Sequence, residues 1–143
     1  MNIASTIIGL DIGTVRVGVS RALWPEGIPV PLTTITNDLS FMENLAKLIN
    51  EEDVGLIVIG RPRGLNSQQT KQTNYVDELI ETIKQVVKLP IYWQDEALTS
   101  VKAENELMAR KKPFKKEDID ALSATYILED FMLDHPKGKG IEL

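Results

Sequence analysis

Cysteine is absent from this chain of 143 residues, and histidine occurs once, at position 135. A chain without cysteine has neither disulfides nor thiolate metal ligands. We expect His135 to be solvated in a polar tail, so no Ser-His-Asp or Cys-His catalytic arrangement can be built. Zinc and copper favour imidazole and thiolate, whereas magnesium and manganese favour oxygen. Any metal site is therefore predicted to be made of carboxylates.

Long apolar runs are also missing, since none approaches the roughly 18 residues that span a bilayer. Residues 1–6 lack the basic segment and apolar core of a signal peptide. The composition, 43% hydrophobic and 26% charged, is that of an ordinary globular protein. We expect a cytoplasmic protein with no membrane contact, made of one domain (residues 1–133) and a loose C-terminal tail (134–143).

Positive charge is in the minority, because the formal net charge is −5. This balance argues against broad, nonspecific adhesion to phosphate polymers. Local clusters can override it, and there are two. One is Arg61, Arg63 and Lys71; the other is Arg110, Lys111, Lys112, Lys115 and Lys116. The second cluster is either a set of phosphate contacts or the usual decoration of a helix C-terminus by cations.

One carboxylate stands inside the most apolar stretch of the sequence, Ile7–Thr14. Apolar residues flank Asp11 on both sides, which predicts a central strand covered on both faces. Burying an unpaired charge costs several kcal/mol, roughly, unless a metal, a partner or a pKa shift compensates. The alternative is an Asp near a turn that hydrogen-bonds the backbone of Gly13 and Thr14.

The pattern along the chain predicts an α/β fold with a five-stranded mixed sheet. Three antiparallel strands come first, followed by helix, strand, helix, strand and two helices. The predicted strands are the opening apolar run and residues 17–20, 28–35, 54–60 and 91–94. The predicted helices are 40–52, with a capping box at Ser40, 69–88, one from Thr99 or Ser100 to the basic cluster, and 117–133.

Three acids lie where this order of elements would bring them together. Asp11 is in the first strand, and Glu96 follows the last strand at its carboxyl end. On a helical wheel Asp120 falls inside the apolar stripe of the last helix, so it points inward, either as a satisfied core group or toward the other acids. Such an oxygen cluster suits Mg²⁺ or Mn²⁺, which can activate water and stabilise the leaving oxygen of a phosphodiester.

Four motifs resemble those of the YqgF (RuvX) family, in the same order and over residues 7–131. They are Gly9-x-Asp11-x-Gly13-x-x-Arg16-x-Gly18-Val19-Ser20, Val58-Ile59-Gly60-x-Pro62, Asp95-Glu96-x-Leu98-Thr99, and Asp120-x-x-Ser123-Ala124-x-x-x-Leu128. The resemblance implies a ribonuclease H-like fold and a metal-dependent nuclease. The family is described as a Holliday junction resolvase or as the nuclease that matures the 5′ end of 16S rRNA. The resemblance also implies that Asp11, Glu96 and Asp120 hold the metal.

The chain departs from the pattern of that family at three places. Ala97 stands where an arginine is usual, Arg21 where an acid is usual, and the loop 63–67 lacks an Asp-Gly pair. The metal acids are intact, so the departures bear on substrate contacts. We expect Arg16, Arg61, Arg63 and the cluster at 110–116 to contact phosphates of structured nucleic acid, either precursor rRNA or branched DNA.

Two other functions remain open from the sequence. A noncatalytic nucleic-acid or ribosome binding module could keep the same fold. Gly9-x-Asp11-x-Gly13-Thr14 also resembles the phosphate loop of the sugar-kinase, Hsp70 and actin group, whose members need two such lobes. The oligomeric state is open as well, because a resolvase that cuts two symmetric strands favours a homodimer, whereas trimming one RNA end requires only a monomer.

Overall fold

The computed structural model describes residues 5–62, 71–96 and 99–136, without the side chains at 62, 71–73, 96, 99 and 100. The order of elements is the predicted one. The strands are β1 (Ser5–Ile12), β2 (Arg16–Trp24), β3 (Val30–Thr36), β4 (Val54–Pro62) and β5 (Ile91–Glu96), and the helices are α1 (Phe41–Glu51), α2 (Lys71–Val86), α3 (Thr99–Ala109) and α4 (Lys116–Asp134). Among the described helices, none is both long and apolar enough to cross a membrane.

The five strands form one mixed sheet in the order β3-β2-β1-β4-β5. β2 pairs antiparallel with β1 and β3, whereas β4 runs parallel to β1 and β5. The carboxyl ends of β1, β4 and β5 therefore lie at one edge of the sheet, together with the start of β2. We call this edge the carboxyl edge; open α/β sheets usually bind their ligands there.

The alternating side chains of β1 enter two different hydrophobic layers. Ile8, Leu10 and Ile12 are buried against α1 and α2. Ile7 is buried on the other face, in a core that α4 covers with Ile127, Leu128 and Phe131. Side chains two residues apart share a face of a strand. Gly9 and Asp11 consequently lie on the α4 side of a strand that is covered on both faces, as the apolar run predicts.

The expected capping box at the start of α1 is wrong. Ser40 is the N-cap residue, but its side chain makes no capping hydrogen bond. Its hydroxyl instead donates to Asp38 Oδ1 at 2.5 Å, and its backbone N–H donates to the same oxygen at 2.9 Å. The hydroxyl is turned toward Asp38, and its oxygen accepts from Asn44 Nδ2 at 3.2 Å rather than from a backbone N–H of the helix.

Two further expectations need correction at the other end of the chain. β5 does not end at Gln94, because pairing with β4 continues through Arg61–Asp95 and Pro62–Glu96. His135 is not solvated: it follows α4 directly, half-buried, with its ring centroid 4.6 Å from that of Phe131. Most of the predicted tail, residues 137–143, lies outside the described part of the chain.

Candidate metal and nucleic-acid site

Asp11 and Asp120 come together through a glycine on β2. Asp11 is directly opposite Gly18 in the β1–β2 ladder, and such pairs have Cα atoms about 4.5–5.5 Å apart. A Cβ added to Gly18 would lie 1.9 Å from the backbone oxygen of Asp120. The backbone of α4 therefore rests on Gly18, on the same face of the sheet as the side chain of Asp11.

The close approach of α4 to the sheet is built by small and polar residues. Ser20 donates its hydroxyl to the carbonyl of Ala124 at 2.7 Å, and both residues are fully buried. Thr34, which pairs with Gly18 on β3, donates to the carbonyl of Glu117 at 3.0 Å. Two strands thus hold successive turns of α4, and the turn that carries Asp120 lies between these contacts.

The side chain of Asp120 is half-buried, with 23% of its surface exposed, and it is paired with Arg16. Arg16 Nε donates to Asp120 Oδ2 at 2.7 Å. This hydrogen bond is the main cause that raises the pKa of Arg16 above its ordinary value. Asp118, on the polar face of α4, is exposed and accepts a hydrogen bond from the backbone of Lys115 at 2.8 Å. The different directions of the two carboxylates agree with the helical wheel.

Glu96 is the last residue of β5, at the same carboxyl edge, and its backbone pairs with Pro62. Its side chain lies outside the described part. Two strand spacings and a register offset of two residues put the backbones of Glu96 and Asp11 roughly 12 Å apart. On the intervening strand Gly60 follows Ile59, the last residue of β4 paired to β1, and a glycine there adds no side chain between the two acids.

These acids suit a hard divalent cation by their chemistry and their position. Asp11 and Asp120 are partly buried carboxylates on one face, and oxygen is the ligand that Mg²⁺ and Mn²⁺ prefer. Within the described residues, no three His, Asp or Glu side chains are grouped closely enough to hold a metal ion. The structure thus brings together two of the three predicted ligands and places the backbone of the third at the same edge.

Of the predicted phosphate contacts, Arg16 lies at the carboxyl edge, beside Asp120. Arg61 lies on the α2 face of the sheet, opposite the face of Asp11, and is paired with Asp77 at 3.0 Å. Arg63 is outside the described residues. The cluster at 110–116 joins α3 to α4. Lys116 is the first residue of α4, so it precedes Asp120 by one turn, or about 6 Å along the helix axis. Arg110 forms an ion pair with Glu106 at 2.6 Å, and the carboxylate partly neutralises its positive charge.

The family model of the RuvX Holliday junction resolvases matches residues 5–134. The chain belongs to this family. A protein of Sulfurihydrogenibium sp. named "Putative pre-16S rRNA nuclease" is 39% identical over 131 residues, which are 90% of each chain. A protein of the same name from Thermoanaerobacter pseudethanolicus is 34% identical over 93% of this chain and 99% of its own.

Two solved resolvases share the architecture of this RuvX family member at very low identity. RuvC of Thermus thermophilus, in complex with a Holliday junction, superposes with a TM-score of 0.54 at 10% identity, over 90% of this chain and 96% of its own. The fowlpox virus resolvase in complex with junction DNA gives 0.57 at 9%, over 90% and 97%. The predicted ribonuclease H-like fold is confirmed, and the prediction of a nuclease is confirmed at the level of the family.

One departure from the RuvX pattern has a structural explanation. Arg21 forms an ion pair with Glu52 at 3.3 Å, at the end of α1. Residues 17, 19 and 21 of β2 share the face that packs on α1 and α2. Arg21 is therefore on the side of the sheet away from Asp11 and Asp120. Ala97 and the loop 63–67 lie outside the described residues.

Sequence reasoning missed a residue that fixes the turn between β1 and β2. Asn37, just after β3, donates its side-chain amide to the carbonyl of Gly13 at 2.7 Å and also to the hydroxyl of Tyr75. Its backbone N–H donates to the carbonyl of Val15 at 2.8 Å. This turn leads from Asp11 to Arg16, so Asn37 positions both. An Asn after a strand is also typical of ordinary turns, and no pattern in the sequence distinguishes it.

Proposed function

We propose that the chain is a divalent-metal-dependent nuclease that hydrolyses phosphodiester bonds of structured nucleic acid. The observation that carries the proposal is the contact of α4 with Gly18, which sets Asp120 beside Asp11 at the carboxyl edge. Glu96 is the proposed third ligand, at the end of β5. The ion is Mg²⁺ or Mn²⁺, and this choice rests on the all-oxygen donor set.

A divalent ion bound there would activate water and neutralise charge on the phosphodiester. The residues of the chain supply position and further charge. Arg16 lies against Asp120, and its positive charge makes it a proposed contact for a phosphate of the substrate. The exposed Lys115 and Lys116, at the start of α4, extend the positive surface along the bound strand.

We propose the precursor of 16S rRNA as the substrate, cut at its 5′ end during ribosome assembly. The support is the shared name of relatives that are 34–39% identical over most of both chains. Holliday junctions are the second candidate, because the family description names them. The two solved junction complexes add little to this choice, since about one residue in ten is identical and both substrates present the same phosphates.

The test is cleavage of a labelled 16S precursor fragment and of a four-way DNA junction, with Mg²⁺ and with a chelator. We expect metal-dependent cleavage of the RNA and a loss of at least about 100-fold when Asp11→Asn or Asp120→Asn removes a ligand charge. The matched control is Asp130→Asn, an exposed acid ten residues further along α4, which should keep its activity. Absence of metal-dependent cleavage of both substrates would contradict the proposal.

A noncatalytic binding module is the second candidate function, favoured by the ion pair that Arg16 makes with one of the three acids. The same variants separate the two. Tight binding of RNA or of ribosomes, unchanged by Asp11→Asn and accompanied by no turnover, would support the module. Calorimetric titration with Mn²⁺ gives a second readout, because the nuclease requires ion binding that Asp11→Asn and Asp120→Asn weaken.

A further inference from the structure

One of the two tryptophans is exposed on the edge strand of the sheet. Trp93, on β5, has 56% of its surface exposed, whereas Trp24 has 2%. Trp93 pairs with the buried Ile59 of β4, and β5 is the outermost strand of the sheet in the described part of the chain. A large aromatic ring is thus exposed beside the carboxyl edge. The preceding residue of the same strand, Tyr92, is partly buried against Phe131.

Arg61 fixes the position of this ring from below. Its guanidinium carbon lies 5.3 Å from the centre of the Trp93 ring, within the range of a cation–π contact. The guanidinium is itself held by Asp77, with Nε donating to Oδ1 at 3.0 Å and Nη2 donating to Oδ2 at 3.2 Å. One face of the Trp93 ring is therefore in contact with a guanidinium that Asp77 holds in place. The exposed part of the ring can contact a ligand.

The ring borders a groove of about 450 Å³ between α2 and β5. The groove is lined by Arg61, Asp77, Ile80, Glu81, Lys84 and Trp93. Its two cations are balanced by two anions, so it offers little net attraction for a phosphate. A flat, uncharged ring that can stack on tryptophan fits this lining better, and an unpaired nucleobase is such a group.

The groove lies on the α2 face of the sheet, opposite the face that carries Asp11 and Asp120, but close to the carboxyl edge. Trp93 precedes Glu96 by three residues along β5, which corresponds to about 10 Å of extended strand. A nucleic-acid strand that crosses the carboxyl edge at the acids can therefore turn around the edge strand and place a neighbouring base on Trp93. The inference rests on the proposed nuclease function, because the nucleic acid that would reach Trp93 is the substrate of that nuclease.

We infer that the groove between α2 and β5 binds an unpaired nucleobase of the substrate, stacked on Trp93. Stacking of this kind is worth about 1–3 kcal/mol per base, which corresponds to roughly 5- to 150-fold in affinity. The site accordingly selects substrates with a single-stranded segment next to the bond that is cut. Because every base has an aromatic face, it does so with little sequence preference.

The test measures binding without cleavage, with the full chain in a chelator and a labelled single-stranded oligonucleotide of about 12 nucleotides. We expect the oligonucleotide to quench the fluorescence of Trp93, while that of the buried Trp24 stays constant. Trp93→Leu keeps an apolar side chain but removes the ring, and should weaken binding by roughly 5- to 150-fold. Trp93→Phe keeps a ring and should remain within about threefold of the original affinity, without the quenching.

Two readouts separate stacking from other roles of Trp93. The slope of log Kd against log salt should be the same for Trp93→Leu as for the original chain, because no phosphate contact is removed. A blunt duplex of equal length should bind both chains equally. The inference is overturned if Trp93→Leu binds the single strand as tightly as the original chain. It is also overturned if Trp93→Leu changes the oligomeric state, measured as the mass of the protein in solution.

Failure of this inference and failure of the proposed function give different results. Metal-dependent cleavage with unaltered single-strand binding by Trp93→Leu would overturn the base site and leave the nuclease standing. Quenching and weakened binding of Trp93→Leu, in a chain that cleaves neither substrate, would overturn the nuclease and support the base site.

Discussion

If Asp120 holds the proposed metal ion, Arg16 competes with that ion for the carboxylate, and the competition can be measured. The guanidinium donates to one carboxylate oxygen of Asp120, and its positive charge disfavours a cation nearby. We predict that Arg16→Gln binds Mn²⁺ more tightly, on the order of fivefold. Calorimetric titration of the two chains checks this, and weaker binding by Arg16→Gln would show that the pair positions Asp120 for the metal instead.

The helical wheel predicts the direction of Asp120 but not its partner. Periodicity assigns each residue of a helix to a face, so an acid within the apolar stripe of α4 must point toward the sheet. The residue that meets it there is decided by the crossing point of α4 on β2, which no local pattern contains. Arg16, expected near Asp11, is for this reason found paired with Asp120, 104 positions away in the chain.

The residue pair at the start of α1 makes stability depend on pH. Hydrogen bonds from Ser40 lower the pKa of Asp38 below its ordinary value of 3.8. The folded state favours the ionised carboxyl of Asp38. The contribution of this carboxyl to the free energy of unfolding is therefore present above its pKa in the unfolded chain, and it is lost as the pH falls through its pKa in the folded chain. We predict that Asp38→Ala lowers Tm at about pH 7, and that it lowers Tm by less as the pH falls below 3.8, toward about pH 2. Thermal unfolding measured at both values checks this; an equal loss at low pH would contradict it.

At the scale of elements, the packing of α4 on the sheet depends on Gly18. A Cβ at this position would lie 1.9 Å from the backbone oxygen of Asp120, and a backbone atom cannot rotate away. We predict that Gly18→Ala destabilises the fold by about 1–3 kcal/mol and abolishes cleavage, because α4 must move off the sheet. Urea unfolding and the cleavage assay measure the two effects.

The control for this substitution is Gly55→Ala on β4. There the nearest atom to an added Cβ is the hydroxyl oxygen of Ser5, at 2.4 Å, and a serine side chain can rotate. Gly55→Ala should therefore cost less stability than Gly18→Ala and leave cleavage unchanged. Equal losses in the two variants would show that close packing of α4 plays no special part in the site.

Element types are predictable from this sequence, whereas their ends are set by tertiary pairing. The apolar run around Asp11 and the helical periodicity of residues 41–49 are local signals that the packed structure reinforces. β5 extends to Glu96 because β4 continues alongside it to Pro62. Ser40 does not cap α1, because its hydroxyl is turned toward Asp38 and its oxygen accepts from the side chain of Asn44. Both differences arise from a neighbour that the local pattern does not weigh.

At the scale of the whole molecule, net charge and local charge make opposite predictions. The chain carries −5 overall, yet the basic cluster at 110–116 ends at Lys116, one helical turn from Asp120. A binding surface for nucleic acid can be confined in this way to one end of an acidic protein, because charges separated by more than about 10 Å are largely screened at 0.1 M salt. The distribution of charge, rather than its sum, then sets the affinity.

The position of the basic residues predicts a different salt dependence for two variants that have the same net charge. Replacing Lys115 and Lys116 by alanine should reduce the slope of log Kd against log salt by roughly 1.4 for a single strand, because two phosphate contacts are lost. Replacing the exposed Lys47 and Lys88, on other parts of the surface, should leave the slope unchanged. Anisotropy titrations between about 50 and 200 mM salt measure both. If the two double variants shift the slope equally, the affinity depends on net charge, and the surface beside Asp120 is not where the nucleic acid binds.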